Sequence, residues 1–308
     1  MNSKKKYDFV TNRNKFFGFS IVMTVIGIAV MLIFGMNFGV DFKAGTNIDL
    51  VVGKPLEKAK VEEILNQLKS SGEVTSNHAD PTIGGNNSDR VSIRFDDVLK
   101  DDVVNKIQTA FATAYGSEIS KEINTVDPQL AKELLVKAVY AVGIASVLIC
   151  LYVSIRFEWR FAVAAIIAIL YDAFFVIAMF AIFQLEVNLP FLAAVLTTVG
   201  YSINDKIVVF DRIRENLRFA KLKTSDDIIT LVNDSIWQTM ARNVNTVLTV
   251  LVAAACLYIF GSESIKLFAL AKLIGLASGA YSSIFIACSI WYLFKRNSLG
   301  VKKKTVEQ

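Results

Sequence analysis

Five ionisable side chains stand within or at the mouth of long apolar runs, and their types and positions are what could do chemistry in this sequence. Asp172 interrupts the run over residues 161–185, Asp205 and Lys206 interrupt residues 187–210, Lys272 lies near the start of residues 267–294, and Arg242 directly precedes residues 243–261. An ionisable group at membrane depth costs about 3 kcal/mol or more and persists only beside a partner or water, so each is a candidate for carrying an ion or for pinning helices together. Asp172 lies 12 residues past Arg160. At ~1.5 Å per helical residue that is ~18 Å, near the midplane. Asp205 lies 6 residues before Asp211, which puts it ~9 Å from one edge of its span. Arg242 begins the next run on that same side, with a side chain long enough to reach inward to Asp205. Lys206 follows Asp205 directly and on a helix points ~100° away, so it is not its natural partner. Two readings follow. In one, Asp205 is a protonatable group in a water-accessible path, modulated by Arg242, with Asp172 a second polar member of the bundle. In the other, the charges are static packing devices, and Lys272, near the outer end of its run, snorkels to the interface.

Other chemistries find no residues to carry them. No GxxxxGK[ST] string occurs, so nothing cradles a nucleotide phosphate. Cys150, Cys256 and Cys288 all fall inside apolar runs and read as small buried hydrophobes, with no CxxC or Cys/His cluster for a metal. His78 sits in a Gly/Asn/Ser-rich stretch and reads as a surface loop residue. No nucleophile, base and oxyanion set can be assembled, so neither an enzyme nor a cofactor is expected. No nucleic-acid-binding module or aromatic interleaving of basic residues is present. Gly275, Gly279, Ser283 and Ala287 recur at intervals of 4 and form one small-residue stripe, which lets a helix of this chain or of a partner approach closely.

The elements that must hold these charges are membrane spans. The 308-residue chain is 54% hydrophobic and 20% charged, against ~45–50% and ~25% for a soluble domain. Apolar runs of the ~20 residues a bilayer needs occur at about residues 16–36, 138–155, 161–185, 187–210, 243–261 and 267–294. The first is too long for a signal-peptide core and reads as an uncleaved anchor. Arg13 and Lys15 with Lys4 to Lys6, Arg156 and Arg160, Arg212 to Lys223, and Lys295 to Lys304 all fall on one side if six spans alternate. The positive-inside rule then makes residues 1–15, 211–241 and 295–308 cytoplasmic, with both termini inside, and residues 41–137 extracytoplasmic. That segment holds 16 acidic and 12 basic residues, whereas the rest holds 12 and 21. A basic cytoplasmic face suits anionic membrane lipid.

Within residues 41–137 the hydrophobic period switches repeatedly. Residues 47–52 alternate as a strand, and a helix starting at Pro55 runs through Val61, Ile64, Leu65 and Leu68. Residues 73–76 read as a weak strand, residues 81–89 as a loop, and residues 90–95 as a clearer strand. Asp96-Asp97 offers the start of a helix with Val98, Val103, Ile107 and Phe111 on one face, and residues 118–126 form a last strand. The order βαββαβ is the ferredoxin-like arrangement. The expected fold class is thus a six-span α-helical membrane bundle, first span at 16–40 and five more over 138–294, with an α+β ferredoxin-like domain between spans one and two.

Four strings, in order, resemble the SecF family of the bacterial SecD/SecF protein-export proteins, within the resistance-nodulation-division superfamily: FGVDFKAGT (Phe38–Thr46), FEWRFA (Phe157–Ala162), GYSINDKIVVFDRIREN (Gly200–Asn216) and GAYSSIFIA (Gly279–Ala287). The resemblance implies pairing with SecD beside the SecYEG translocon, and use of the transmembrane ion gradient, H⁺ or Na⁺, to complete export of unfolded preprotein. It also implies that Asp205 is the membrane-embedded carboxylate of the ion path, that Arg242 in ARNVNT is the fifth-span Arg, and that Asp172 is the third-span Asp. Lys43-Ala44, Lys206, and Asp127 with Ala131 depart from the family pattern, standing where Gly, Thr and Gly are usual. The first and last bear on linker flexibility. Lys206 either alters the ion path or faces the headgroups. Two other readings stay open: a scaffold subunit of the translocon without an energetic role, and half of a lipid or drug secondary transporter.

Overall fold

Charge-free runs long enough to cross ~30 Å of hydrocarbon become helices because no water is there to satisfy a bare backbone. The computed structural model describes residues 7–79, 81–85, 87–116, 118–222 and 224–306. Lys4 to Lys6, Asn86, Lys223 and the side chains of Lys302 to Lys304 lie outside the described residues.

In chain order the elements are α1 (Arg13–Phe34), the short α2 (Val40–Lys43), β1 (Gly45–Val51), α3 (Lys58–Ser70), β2 (Thr82–Gly84), β3 (Arg90–Phe95), α4 (Asp101–Tyr115) and β4 (Ser120–Val126). There follow α5 (Pro128–Arg156), α6 (Trp159–Ile182), α7 (Leu189–Phe219), α8 (Ser225–Phe260), α9 (Glu263–Tyr281), a π-helical stretch (Ser282–Ala287) and α10 (Cys288–Val306). Among the described residues, six helices are long and apolar enough to span a membrane, the sixth running through α9, the π stretch and α10. With the small antiparallel sheet, this makes the chain a multi-pass membrane protein carrying one compact α+β insertion.

The bundle centres on α6, α7 and α9, with α8 against α7 and α9 and with α1 against α6. Gly27 of α1 permits the last contact, since a Cβ there would collide with Ala178. α5 packs on the periphery and buries only Ala131 and Val153. Phe161, Phe210 and Trp291 form an aromatic knot at one end of the bundle, the Phe161 and Trp291 rings stacking at 4.9 Å.

The sheet order is β2-β3-β1-β4, antiparallel throughout, with Ile48 opposite both Ile93 and Ile123. The period of two sends Ile48, Leu50, Val91, Ile93 and Phe95 to one face, where Val61, Leu65, Val104, Ile107 and Phe111 of α3 and α4 cover them. Asn47, Asp49, Ser92 and Asn124 line the cavity between this domain and the bundle.

Several sequence expectations shift. α3 begins at Lys58 rather than Pro55, and α4 at Asp101 rather than Asp96, which leaves Val98 exposed. Residues 73–76 form no strand. The second strand is Thr82–Gly84, inside the stretch read as a loop, where three residues pair with the edge of β3. His78 is likewise drawn onto that strand, as an isolated bridge to Phe95. Residues 211–219 and 225–241 are the helical ends of α7 and α8 rather than a loop, and they pair as a hairpin. At 36 residues, α8 is ~54 Å long and overshoots a bilayer core. Residues 7–12 dock onto that hairpin: Phe9 is buried against Trp237, and Asn233 accepts the Phe9 amide at 3.0 Å. Of the cysteines only Cys288 is buried, Cys256 facing outward. Asp127 and Ala131 both make contacts at the exit from the domain. Asp127 caps α5 by accepting the Gln129 and Leu130 amides at 3.0 Å, and Ala131 packs with Val40 and Val126.

Candidate ion-path site

Asp172 on α6 is fully buried, and its carboxylate is saturated. Oδ1 accepts the Ser278 hydroxyl at 2.7 Å, while Oδ2 accepts the hydroxyls of Ser202 (2.5 Å) and Ser282 (2.6 Å) and the Lys206 ammonium (2.8 Å). Lys206 is itself 0% exposed. Its Nζ donates to the Ser202 and Ser282 hydroxyl oxygens, at 2.5 and 2.9 Å, as well as to Asp172. Lys206 therefore does not face the headgroups. A buried charge pair is tolerated only when the remaining lone pairs and protons are also satisfied, and three serines do that here.

The sequence assembles this cluster by helical spacing. Ser202 and Lys206 are one turn apart on α7, and Ser278 and Ser282 one turn apart on the sixth span, so each pair shares a face. The small-residue stripe brings the two faces together within this chain. A Cβ at Gly275 would collide with the Thr198 side chain, and one at Gly279 would touch Ser202 at 3.5 Å. Ser283 is buried and donates to the Gly279 carbonyl. The π stretch begins at Ser282 itself, and such single-turn π segments are frequent at functional positions.

Asp205, one residue before Lys206, is 6% exposed. Among the described residues it forms no hydrogen bond or ion pair, though both Lys206 and Asp172 lie within electrostatic reach. Arg242 is not brought to it. The Arg242 side chain lines an open cleft of about 300 Å³ with Asp211, Arg212, Glu215 and Gln238. Lys272 does not snorkel: it is 7% exposed, donates to Thr197 Oγ1 at 3.1 Å, and sits 4.4 Å over the Tyr201 ring.

A second polar cluster joins the domain to the bundle around a cavity of about 350 Å³. Asp41 Oδ2 accepts the Leu189 amide at 2.8 Å, and its Oδ1 accepts Asn124 of β4 at 3.1 Å. Arg94 of β3 donates to the Asn37 side chain and the Phe38 carbonyl, at 3.1 and 3.0 Å. Glu186, in the turn between α6 and α7, has its carboxyl held above the usual glutamate range by burial, opposed by Arg94 and reinforced by Asp41 and Asp49. Sequence reasoning passed over Ser202, Ser278, Ser282, Asp41 and Glu186. The one legible signal was the i,i+4 spacing of Ser202 with Lys206 and of Ser278 with Ser282.

Comparison with known proteins gives this geometry a family. The sequence model described as "Protein export membrane protein SecD/SecF, C-terminal" matches residues 106–297, and "SecD/SecF GG Motif" matches residues 29–55. SecF from Alicyclobacillus acidocaldarius is 43% identical over 303 residues, covering 98% of this chain and 96% of the relative. The chain belongs to the SecD/SecF family. Within it the chain is of the SecF subunit type, and the relatives are named as protein-translocase subunits. SecDF from Bacillus subtilis is 43% identical, but this chain spans only 39% of its length. The crystal structure of SecDF from Thermus thermophilus, titled a translocon-associated membrane protein, superposes with a TM-score of 0.82 at 32% identity, covering 96% of this chain and 40% of that one. The stretch matched by the GG motif carries Ala44-Gly45 and no adjacent glycine pair.

Proposed function

We propose that the chain is the SecF half of a two-part export device. It pairs with a SecD-type six-span partner in the cytoplasmic membrane, both termini inside, and couples a transmembrane ion gradient to completion of preprotein translocation through SecYEG. The small domain, in this reading, is a ferredoxin-like module on the outer side that engages the unfolded chain. Asp205 is the coupling carboxylate. The observation that carries this role is its isolation: it is buried in a central helix, without a partner among the described residues, one residue from a charge pair that is fully satisfied. A group meant only to pin helices would resemble Asp172. A group meant to gain and lose an ion must be left without a hydrogen bond or a close ion pair, as Asp205 is among the described residues, where Lys206 acts on it only at a distance. The relatives' names as translocase subunits and a translocon-associated protein supply the process. Its share of the SecDF relatives' length supports the need for a second half.

Gradient-driven motion requires an element with two arrangements biased by the ion. α7 has the connections for it, carrying Asp205 and Lys206 mid-span and meeting the Asp41 carboxylate at its first residue, Leu189. The test is preprotein export into inverted membrane vesicles, with and without an uncoupler, comparing the native chain with Asp205→Asn at equal levels of assembled complex. Loss of the uncoupler-sensitive portion alone is the expected result. Unchanged uncoupler sensitivity would leave the chain as a scaffold.

A further inference from the structure

The Lys206 ammonium sits in a shell made of oxygen. Asp172 Oδ2, the Ser202 and Ser282 hydroxyls and, at 3.4 Å, the Ser202 carbonyl surround Nζ, and Ser278 holds the other carboxylate oxygen from behind. A carboxylate, hydroxyls and a backbone carbonyl converging on one point are what hard cations take as ligands. They converge from three packed elements, α6, α7 and the π-helical stretch inside the sixth span, and the shell is closed to solvent: Asp172, Ser202, Lys206 and Ser282 are each 2% exposed or less.

We infer that the Asp172–Ser202–Ser282 cluster is an alkali-cation cage whose cation is supplied by the chain itself, and that Lys206 is therefore the residue that excludes Na⁺ from this site. Three points support it. The charge of Asp172 is matched at contact by that of Lys206, so a metal cation added beside the ammonium would meet like charge at close range in a buried interior. The hydroxyl protons are already committed, because Ser202 and Ser282 donate to Asp172 and present their lone pairs to Nζ. That is the orientation an incoming metal cation would need. Finally, the ammonium occupies the centre of the cage with its three N–H bonds taken by Asp172, Ser202 and Ser282. On the reading of an ion-coupled subunit, this leaves Asp205 as the exchangeable carboxylate and the proton as the ion it exchanges.

The cage and the coupling role are tested separately. Thermal unfolding of the full chain in detergent is followed in NaCl, KCl and choline chloride at equal ionic strength. The native chain is expected to unfold at the same temperature in all three. Lys206→Ala opens the cage while keeping every oxygen. Its unfolding temperature is expected to fall in choline chloride and to recover by roughly 5 °C in NaCl once the salt exceeds the dissociation constant a hundredfold. Asp172→Asn combined with Lys206→Ala removes the carboxylate and should abolish the NaCl response. A Lys206→Ala protein that folds but shows no preference for Na⁺ overturns the inference, and so does a native chain stabilised by Na⁺ specifically. Should Lys206→Ala fail to fold in any salt, the native chain still decides. Replacing Na⁺ by choline at a fixed proton gradient should leave its uncoupler-sensitive export unchanged, and a Na⁺ requirement overturns the inference. The Asp205→Asn vesicle experiment alone judges the coupling role, and neither result of it alters the salt dependence of unfolding.

Discussion

Asp41 reaches across the domain–membrane boundary to cap Leu189: its Oδ2 accepts that amide at 2.8 Å while its Oδ1 holds Asn124 of β4. One carboxylate thus ties the sheet of the small domain to the first residue of α7, the helix that carries Asp205 and Lys206. A helix N-terminus has orphan amides and a positive dipole end, so a carboxylate is the natural tie.

Asp41→Ala should cost about 1 kcal/mol through the lost cap, while Asn188, which caps Phe191 at 3.0 Å, keeps α7 helical. The distinctive outcome is mechanical. Protease sensitivity between β4 and α5 should rise in the variant, measured by limited digestion, with the helical content of the bundle unchanged by circular dichroism.

Lys206→Met should destabilise by about 3–5 kcal/mol, because it strands a buried carboxylate. Adding Asp172→Asn to it should restore most of that loss, since both charges are then gone. Chemical unfolding of the two single variants and the double variant closes the cycle, and additive losses would contradict a direct pair.

Ala44 has φ +68° and ψ 170° at the end of α2, a region that non-glycine residues avoid. Relieving strain of about 1–3 kcal/mol, less the ~0.5–1 kcal/mol that glycine loses in chain entropy, Ala44→Gly should stabilise by about 1 kcal/mol. Gly45→Ala should do the reverse, because a Cβ there would strike the Phe95 carbonyl. Unfolding midpoints of the two variants check both signs.

Burial holds the Glu186 carboxyl above the ordinary glutamate value of 4.5, with Arg94 partly countering it. The folded state then binds more protons than the unfolded one between that value and the raised one. Stability is full below it and falls as pH rises through the window. Glu186→Gln should match the native chain at low pH and exceed it at neutral pH, read from unfolding midpoints across the pH series. A constant gap at every pH would exclude titration as the cause.

The spans were legible because runs of apolar residues bounded by Arg and Lys leave a backbone in lipid one option, and the switches of period located β1, α3, β3, α4 and β4 of the domain. What escaped depends on which face of one element meets another. Thr82–Gly84 has neither alternation nor length and becomes a strand only because β3 offers it an edge. The partner of Lys206 is decided by the rotation of α6 against α7, which no spacing within one helix encodes. Ser278 and Ser282 lie beside Gly275 and Gly279 in the sequence, and their role appears only when Asp172 is set opposite them. Arg242 shared a membrane side with Asp205, which is a weaker condition than sharing a face.

Uncoupler-sensitive preprotein export in vesicles carrying Asp205→Asn tests whether Asp205 couples export to the ion gradient. The sensitive portion is expected to disappear while assembly and the uncoupler-resistant portion persist. Export that remains as sensitive to the uncoupler as in the native chain would contradict that role.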